Sequence, residues 1–320
     1  MDIQRAVFLD MATVDAGDLE QSALLASSAH WDLYDYTTPG ETARRVAKAE
    51  VVVSNKTVLD GEIIASAPEL KLICVAATGT NNVDLDAARD RGIAVANVTA
   101  YATPSVVQHV FMLILALSTR LEAYRAAVAR GDWQHAPAFC LLDYPVRELS
   151  GLALGLVGFG ELGQGVARVG EAFGMEVLVA QRPGGPPRQG RVPLDELLQR
   201  SDVVSLHVPL ADNTRNLIGE RELGLMKPDA LLINTARGGI VDEQALAMAL
   251  REGRIGGAGV DVLEVEPPRD GNVLLNADLP NLIVTPHVAW ASRASRQRLL
   301  DEVAANIRAF ADGSMRNRVA

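Results

Sequence analysis

The 320-residue sequence predicts an α/β chain folded as two parallel-sheet domains. Three observations carry that reading. Short β-branched runs alternate with longer stretches of helical period, the pattern of βαβ units. One of these units turns from strand to helix through three spaced glycines. At about 150 residues per domain, the length suits two domains.

Composition fits the same class. Hydrophobic residues make up 48% and charged residues 22%, enough apolar material for two cores and too much for long disorder. Forty acidic against thirty basic side chains give a net charge of -10. That surface repels phosphate backbones, so no nucleic-acid partner is expected. Cys74 and Cys140 are the only cysteines. They cannot build a disulfide framework and read as reduced thiols, which predicts a cytoplasmic location. The opening Met1-Asp2-Ile3-Gln4-Arg5 lacks an apolar signal segment. The most apolar stretch, residues 106–117, contains Gln108 and His109 and is too short for a bilayer, so no membrane partner is expected.

In the first hundred residues, strands are expected at Ala6-Val7-Phe8-Leu9, Val51-Val52-Val53, Leu72-Ile73-Cys74-Val75 and Ile93-Ala94-Val95. Thr103-Pro104-Ser105 then starts a helix, because proline suits the first turn. Apolar residues continue through Val110, Leu113, Ile114 and Leu117 and on past Arg120, Leu121 and Tyr124. This predicts one long buried helix ending near Gly131. Residues 132–150 show no period and read as an extended connection.

A second set of units starts at Gly151. Its strands are expected at Leu154-Gly155-Leu156-Val157, Val177-Leu178-Val179, Val203-Val204-Ser205-Leu206, Ala230-Leu231-Leu232-Ile233, Gly259-Val260-Asp261-Val262 and Leu282-Ile283-Val284. Six strands separated by helical patterns match a complete dinucleotide-binding sheet. The patch Pro183-Gly184-Gly185-Pro186-Pro187 reads as a turn or loop. Leu299, Leu300, Val303, Ile307 and Phe310 line one face of a closing helix.

Gly158-Phe159-Gly160-Glu161-Leu162-Gly163 is a G-x-G-x-x-G between an apolar strand and a helical pattern, the context a phosphate-binding turn requires. Gly158 permits the tight turn, Gly160 admits a pyrophosphate to the backbone, and Gly163 lets helix and strand pack closely. After the second strand of this set, an Asp or Glu would favour NAD. Here stand Gln181 and Arg182. Gln181 does not repel a 2′-phosphate and Arg182 can pair with one, which favours NADP over NAD.

Three polar residues follow strand ends in this half: Arg237 in Asn234-Thr235-Ala236-Arg237-Gly238, Glu266 before Pro267-Pro268, and His287 in Thr285-Pro286-His287. Ligands of open α/β sheets bind outside the carboxyl ends of strands, so the three can converge although scattered in sequence.

Together these motifs resemble the D-isomer-specific 2-hydroxyacid dehydrogenase family over essentially the whole length. Thr78-Gly79-Thr80-Asn81-Asn82-Val83-Asp84, Thr103-Pro104-Ser105-Val106-Val107-Gln108-His109 and His287-Val288-Ala289-Trp290-Ala291-Ser292-Arg293 are most similar to the glycerate dehydrogenase and hydroxypyruvate reductase branch. The resemblance implies a Rossmann NAD(P)-binding domain at 100–287, inserted into a flavodoxin-like substrate domain of 1–99 plus 288–320. It implies reduction of a small 2-keto acid, hydroxypyruvate or glyoxylate, to the D-2-hydroxy acid, and the reverse oxidation. His287 would be general acid and base, Glu266 its orienting carboxylate, and Arg237 the carboxylate clamp.

The resemblance also implies cofactor contacts at Thr103, His207, Val208, Pro209, Thr235, Ala236 and Asp261, and substrate contacts at Ala77, Thr78, Gly79, Asn55 and Trp290. Lys56 beside Asn55 is a further candidate. No metal is implied. A homodimer is implied, built on the apolar surface from Pro104 to Ser150. Two alternatives stand beside this reading: a dehydrogenase of the same fold for another small acid, and a nucleotide-sensing module without turnover. One residue departs from the family pattern, Glu161, where arginine is frequent beside the phosphates.

Overall fold

A computed structural model describes every residue except Met1, Pro183, Ala277 and Met315. Pro183, in the expected loop 183–187, thus lies outside the described residues. The chain divides into two compact units, Met1–Ala102 with Trp290–Ala320, and Thr103–Ala289.

In the first unit, β1 (Arg5–Phe8), β2 (His30–Leu33), β3 (Val51–Ser54), β4 (Leu72–Val75) and β5 (Ala94–Ala96) pair in the order β2-β1-β3-β4-β5. All neighbours are parallel. β3 and β4 are buried at every residue. A parallel strand covered on both faces has no polar side to alternate with, which is why these strands read as continuous apolar runs. β2 is the exception and is absent from the sequence reading. As an edge strand of sequence His-Trp-Asp-Leu with no buried residue, it carries no apolar run to betray it. The helix Arg293–Ala311 buries Leu299, Leu300, Val303 and Ile307 in the core under β1, β3 and β4.

The second unit contains β6 (Ala153–Val157), β7 (Glu176–Val179), β8 (Val203–Leu206), β9 (Leu231–Asn234), β10 (Gly257–Val260) and β11 (Leu282–Val284). Their order is β11-β10-β9-β8-β6-β7, again all parallel. A single parallel bridge, Ala180 to Val192, stands where a further strand would extend the sheet past β7. The order reverses between β6 and β8, so the crevice for a ligand opens at the carboxyl ends of those two strands.

The expected long helix is two helices, Thr103–Ser118 and Leu121–Arg130, bent by 57°. Arg120 adopts a left-handed φ of +55°, a conformation that ends a helix without any Gly or Pro to announce it. Burial explains the break. The first helix is apolar and mostly buried, with Leu113 lying under Gly259 of β10, where any Cβ would crowd it. The second exposes Glu122, Arg125 and Arg130, so the two cannot share one axis along the sheet. No single helix among the described residues is long and apolar enough to cross a membrane.

Candidate active site

The glycine turn follows β6. Gly158 holds φ +101°, and a Cβ there would strike the His207 carbonyl. A Cβ on Gly163 would strike the Gly158 carbonyl. These two glycines therefore seat the helix Glu161–Ala172 against β6 and β8. A Cβ on Gly160 would meet nothing within 4 Å, so open space lies over the backbone at the helix N-terminus, where N–H groups attract an anion. Glu161, the departure from the family pattern, accepts from the Thr103 hydroxyl at 2.5 Å. Its carboxylate is thereby engaged by the start of the neighbouring helix.

Beyond β7, the Gln181 side chain is occupied by its own loop. Its Oε1 accepts from Arg188 N, and its Nε2 donates to the carbonyls of Arg188 and Arg191. Arg182 is exposed. Arg191, absent from the sequence reading, donates to the Ala180 carbonyl and lies 5.1 Å over the Phe159 ring. Its signal was indirect: it precedes Val192, the residue that pairs with Ala180.

His207 follows β8, with Val208 beside Gly158 and Pro209 exposed beyond. The His207 ring bonds Ser205 Oγ through Nε2 at 2.9 Å, while Nδ1 is buried with no partner. Burial pushes its pKa down to about 4, so the ring is neutral near pH 7.

Asn234, the last residue of β9, shapes the turn that presents Arg237. Its amide donates to the Arg237 carbonyl and accepts from Ala236 N. Arg237 Nη1 donates to the Ala236 carbonyl. The Thr235 hydroxyl is buried and unpartnered. Next in the chain, a Cβ on Gly238 would collide with the Leu263 carbonyl. The Arg237 turn is thus pressed against the loop that follows β10.

That loop carries Glu266. Its Oε1 accepts from Leu263 N at 2.8 Å and its Oε2 lies 2.6 Å from His287 Nδ1. His287 itself sits at φ +55°, a left-handed backbone costing a non-glycine residue on the order of 1–3 kcal/mol. Asp261, the residue after β10 and 1% exposed, holds it there. The Asp261 carbonyl accepts from His287 N, its Oδ1 from Val288 N and Thr285 Oγ1, and its Oδ2 from Ala289 N. The three bonds to the carboxylate are charge-assisted and contribute roughly 1.5–3 kcal/mol each, enough to offset the strain.

In the first unit, Ala77, Thr78 and Gly79 follow β4 and Asn55 follows the adjacent β3. Thr78 donates its hydroxyl to the Val98 carbonyl and its own carbonyl accepts from Asn97. Buried Asp10 accepts from the amides of Asn55, Lys56 and Thr57. The sequence reading missed Asp10, since a lone acid after a strand has no distinguishing signal. Trp290 packs edge-on to Tyr101, centroids 6.2 Å apart.

These residues suit a dinucleotide. Open backbone lies over Gly160, and an unsatisfied Thr235 hydroxyl waits at the end of β9. Among the described residues, no group of three His, Cys, Asp or Glu is placed to hold a metal ion. A glycine-turn parallel sheet with Arg, Glu and His after its strands defines a nucleotide-dependent oxidoreductase. Residues 111–289 match the D-isomer specific 2-hydroxyacid dehydrogenase NAD binding domain. The chain is 46% identical to glycerate dehydrogenase of Methylorubrum extorquens, over 99% of each chain. It is 36% identical to hydroxypyruvate reductase of Blautia hydrogenotrophica, over 98% of this chain and 99% of that one. It superposes on D-lactate dehydrogenase of Aquifex aeolicus, solved with NAD and lactic acid, with TM-score 0.80, 34% identity and 96% of each chain covered. The chain belongs to the D-isomer specific 2-hydroxyacid dehydrogenase family. It is a dehydrogenase that uses a nicotinamide cofactor to reduce a 2-keto acid.

Proposed function

We propose that the protein reduces hydroxypyruvate to D-glycerate, or glyoxylate to glycolate, with NADPH preferred over NADH. The observation that carries this reading is the 2.6 Å contact between Glu266 Oε2 and His287 Nδ1, in a chain whose full-length relatives bear glycerate and hydroxypyruvate names. The bound cofactor supplies the hydride for the substrate's 2-carbon. His287 gives the carbonyl oxygen its proton from Nε2, since Nδ1 faces Glu266. Glu266 fixes the ring plane and stabilises the imidazolium. Arg237 binds the substrate carboxylate through its guanidinium fork. In the first unit, the backbone amides of Ala77, Thr78 and Gly79, with Asn55 and Trp290, are the substrate contacts in this reading. Gly158, Gly160, Leu162, Gly163 and Thr103 serve the phosphates, and Val208, Pro209, Thr235 and Ala236 the nucleoside halves.

The uncharged Gln181 and the exposed Arg182, on one loop with Arg188 and Arg191, support the NADP preference. Met1–Ala102 with Trp290–Ala320 is the substrate domain in this reading. Two copies associate through residues 133–146, where Phe139 is 90% and Leu142 86% exposed. Exposed aromatic and aliphatic side chains on one segment mark an association surface. The two unpaired cysteines suit the cytoplasm.

Initial rates with hydroxypyruvate, glyoxylate, pyruvate and phenylpyruvate, each with NADPH and NADH, test the proposal. Turnover fastest with hydroxypyruvate and NADPH is expected. Faster turnover of phenylpyruvate would move the substrate to bulkier acids, and preference for NADH would reduce Arg182 to a surface residue.

A further inference from the structure

We propose that His109, on the helix Thr103–Ser118, is a positioning residue for His287, acting through Thr285 and Asp261. The inference rests on the proposed role of His287. His109 Nε2 lies 2.9 Å from Thr285 Oγ1 and, at longer range, 3.5 Å from Asp261 Oδ1, while Thr285 Oγ1 lies 2.5 Å from Asp261 Oδ1. The polarity of this chain is fixed by its far end. Asp261 already accepts amides at both oxygens, from Val288 and Ala289, so the Thr285 hydroxyl donates to it. Thr285 then accepts from His109, which must carry its proton on Nε2. Burial lowers the His109 pKa below the usual histidine range although Asp261 opposes the shift. This hydrogen-bond chain requires a proton on Nε2, and the lowered pKa favours the neutral Nε2–H tautomer as its carrier. Its side chain is 13% exposed, so water does not replace the bond readily.

The consequence reaches the catalytic turn. Asp261 holds the His287 amide through its main-chain carbonyl and the Val288 and Ala289 amides through its carboxylate, and the two grips together set the left-handed backbone that aims the His287 ring at Glu266. The carboxylate keeps that aim only while its own torsion is fixed. Thr285 fixes it from the exit of the neighbouring strand β11, and His109 fixes Thr285 from the helix Thr103–Ser118. Ser105, one turn earlier on that helix, donates to the Ala289 carbonyl. One helix face thus grips both ends of the His287 turn. Such links add geometric precision, which catalysis rewards more than folding does.

The test compares His109→Phe, His109→Gln, Thr285→Val and His109→Phe/Thr285→Val with His287→Ala, using hydroxypyruvate and NADPH. His109→Phe keeps the volume and removes the donor; His109→Gln restores an N–H at the reach of Nε2. His109→Phe is expected to lower kcat about tenfold, the worth of one buried hydrogen bond, with KM and NADPH Kd within about twofold. His109→Gln should recover most of kcat, and the double variant should be no slower than the slower single one. Full kcat in His109→Phe, no recovery in His109→Gln, or multiplied losses in the double variant would each overturn the inference. Turnover retained in His287→Ala would instead overturn the underlying reading. An inactive His287→Ala beside a fully active His109→Phe would sink the positioning role alone. Should His109→Phe unfold, the same comparison between His109→Gln and Thr285→Val decides it.

Discussion

Glu266 and His287 face each other at 2.6 Å across 21 residues of sequence, and each is separately tied to the exit of β10. Glu266 receives the amide of Leu263, and His287 gives its amide to Asp261. The pair is therefore referenced to one strand end. A shift of either loop alone must break a bond at that strand before it separates the pair.

Replacing His287 by Ala removes the proposed proton donor and leaves the glycine turn untouched. Turnover should fall by about 10²–10⁴, the range for a positioned general acid, while NADPH Kd changes little. Stopped-flow turnover and nucleotide fluorescence check both halves. Glu266→Gln keeps the size and a hydrogen bond but withdraws the charge that stabilises the imidazolium. A smaller loss, about 10–100-fold in kcat, is expected. Equal losses in the two variants would assign Glu266 a direct part in proton transfer.

Arg237→Lys retains charge and loses the planar fork. If Arg237 binds the substrate carboxylate, kcat/KM should drop about 10–100-fold, the loss of one arm of a charge-assisted pair. Most of it should appear as a raised KM. Gly238→Ala should act on the same constant by another route, since its methyl meets the Leu263 backbone and drives the Arg237 turn from the Glu266 loop. A Gly238→Ala enzyme with unchanged KM would show that this backbone contact carries no functional precision.

Much of this was legible in the sequence for physical reasons. Strands buried on both faces must be apolar throughout, so β3, β4 and β8 stand out. A phosphate turn needs glycine at fixed spacing, so residues 158–163 stand out as well. The features that escaped share the opposite property, because their meaning depends on what lies against them. β2 is polar because it is an edge. The bend at Arg120 follows a change of burial, not a helix-breaking residue. Asp10 is an isolated acid until the fold brings three amides to its carboxylate. Arg191 is a surface arginine until Phe159 lies beneath it.

His207 makes stability depend on pH in a definite direction. Its folded pKa is pushed down to about 4 by burial, below the ordinary value near 6.5. Between those values the unfolded chain binds the proton and the folded chain does not, so stability falls as pH falls from about 6.5 towards 4. Above 6.5 both states are neutral and the contribution is complete. The span corresponds to about 3 kcal/mol. Urea unfolding of wild type and His207→Gln at pH 7 and pH 4.5 isolates it, because the carboxylates titrate in both. Wild type should lose more stability across that interval than the variant; parallel losses would show that His207 is solvated.

The arginines after β7 predict a selective effect on cofactor choice. Arg191 is held by the Ala180 carbonyl and the Phe159 ring, whereas Arg182 is exposed. A guanidinium already oriented loses less entropy on meeting a phosphate. Arg191→Ala should therefore weaken NADPH more than Arg182→Ala does, by roughly tenfold for one lost charge-assisted contact, while NADH binding stays within about twofold. Titrating each variant with NADPH and NADH by fluorescence measures both. Equal weakening of the two nucleotides by Arg191→Ala would place its contribution in packing Phe159 against the phosphate turn, and discrimination would then fall to Arg182.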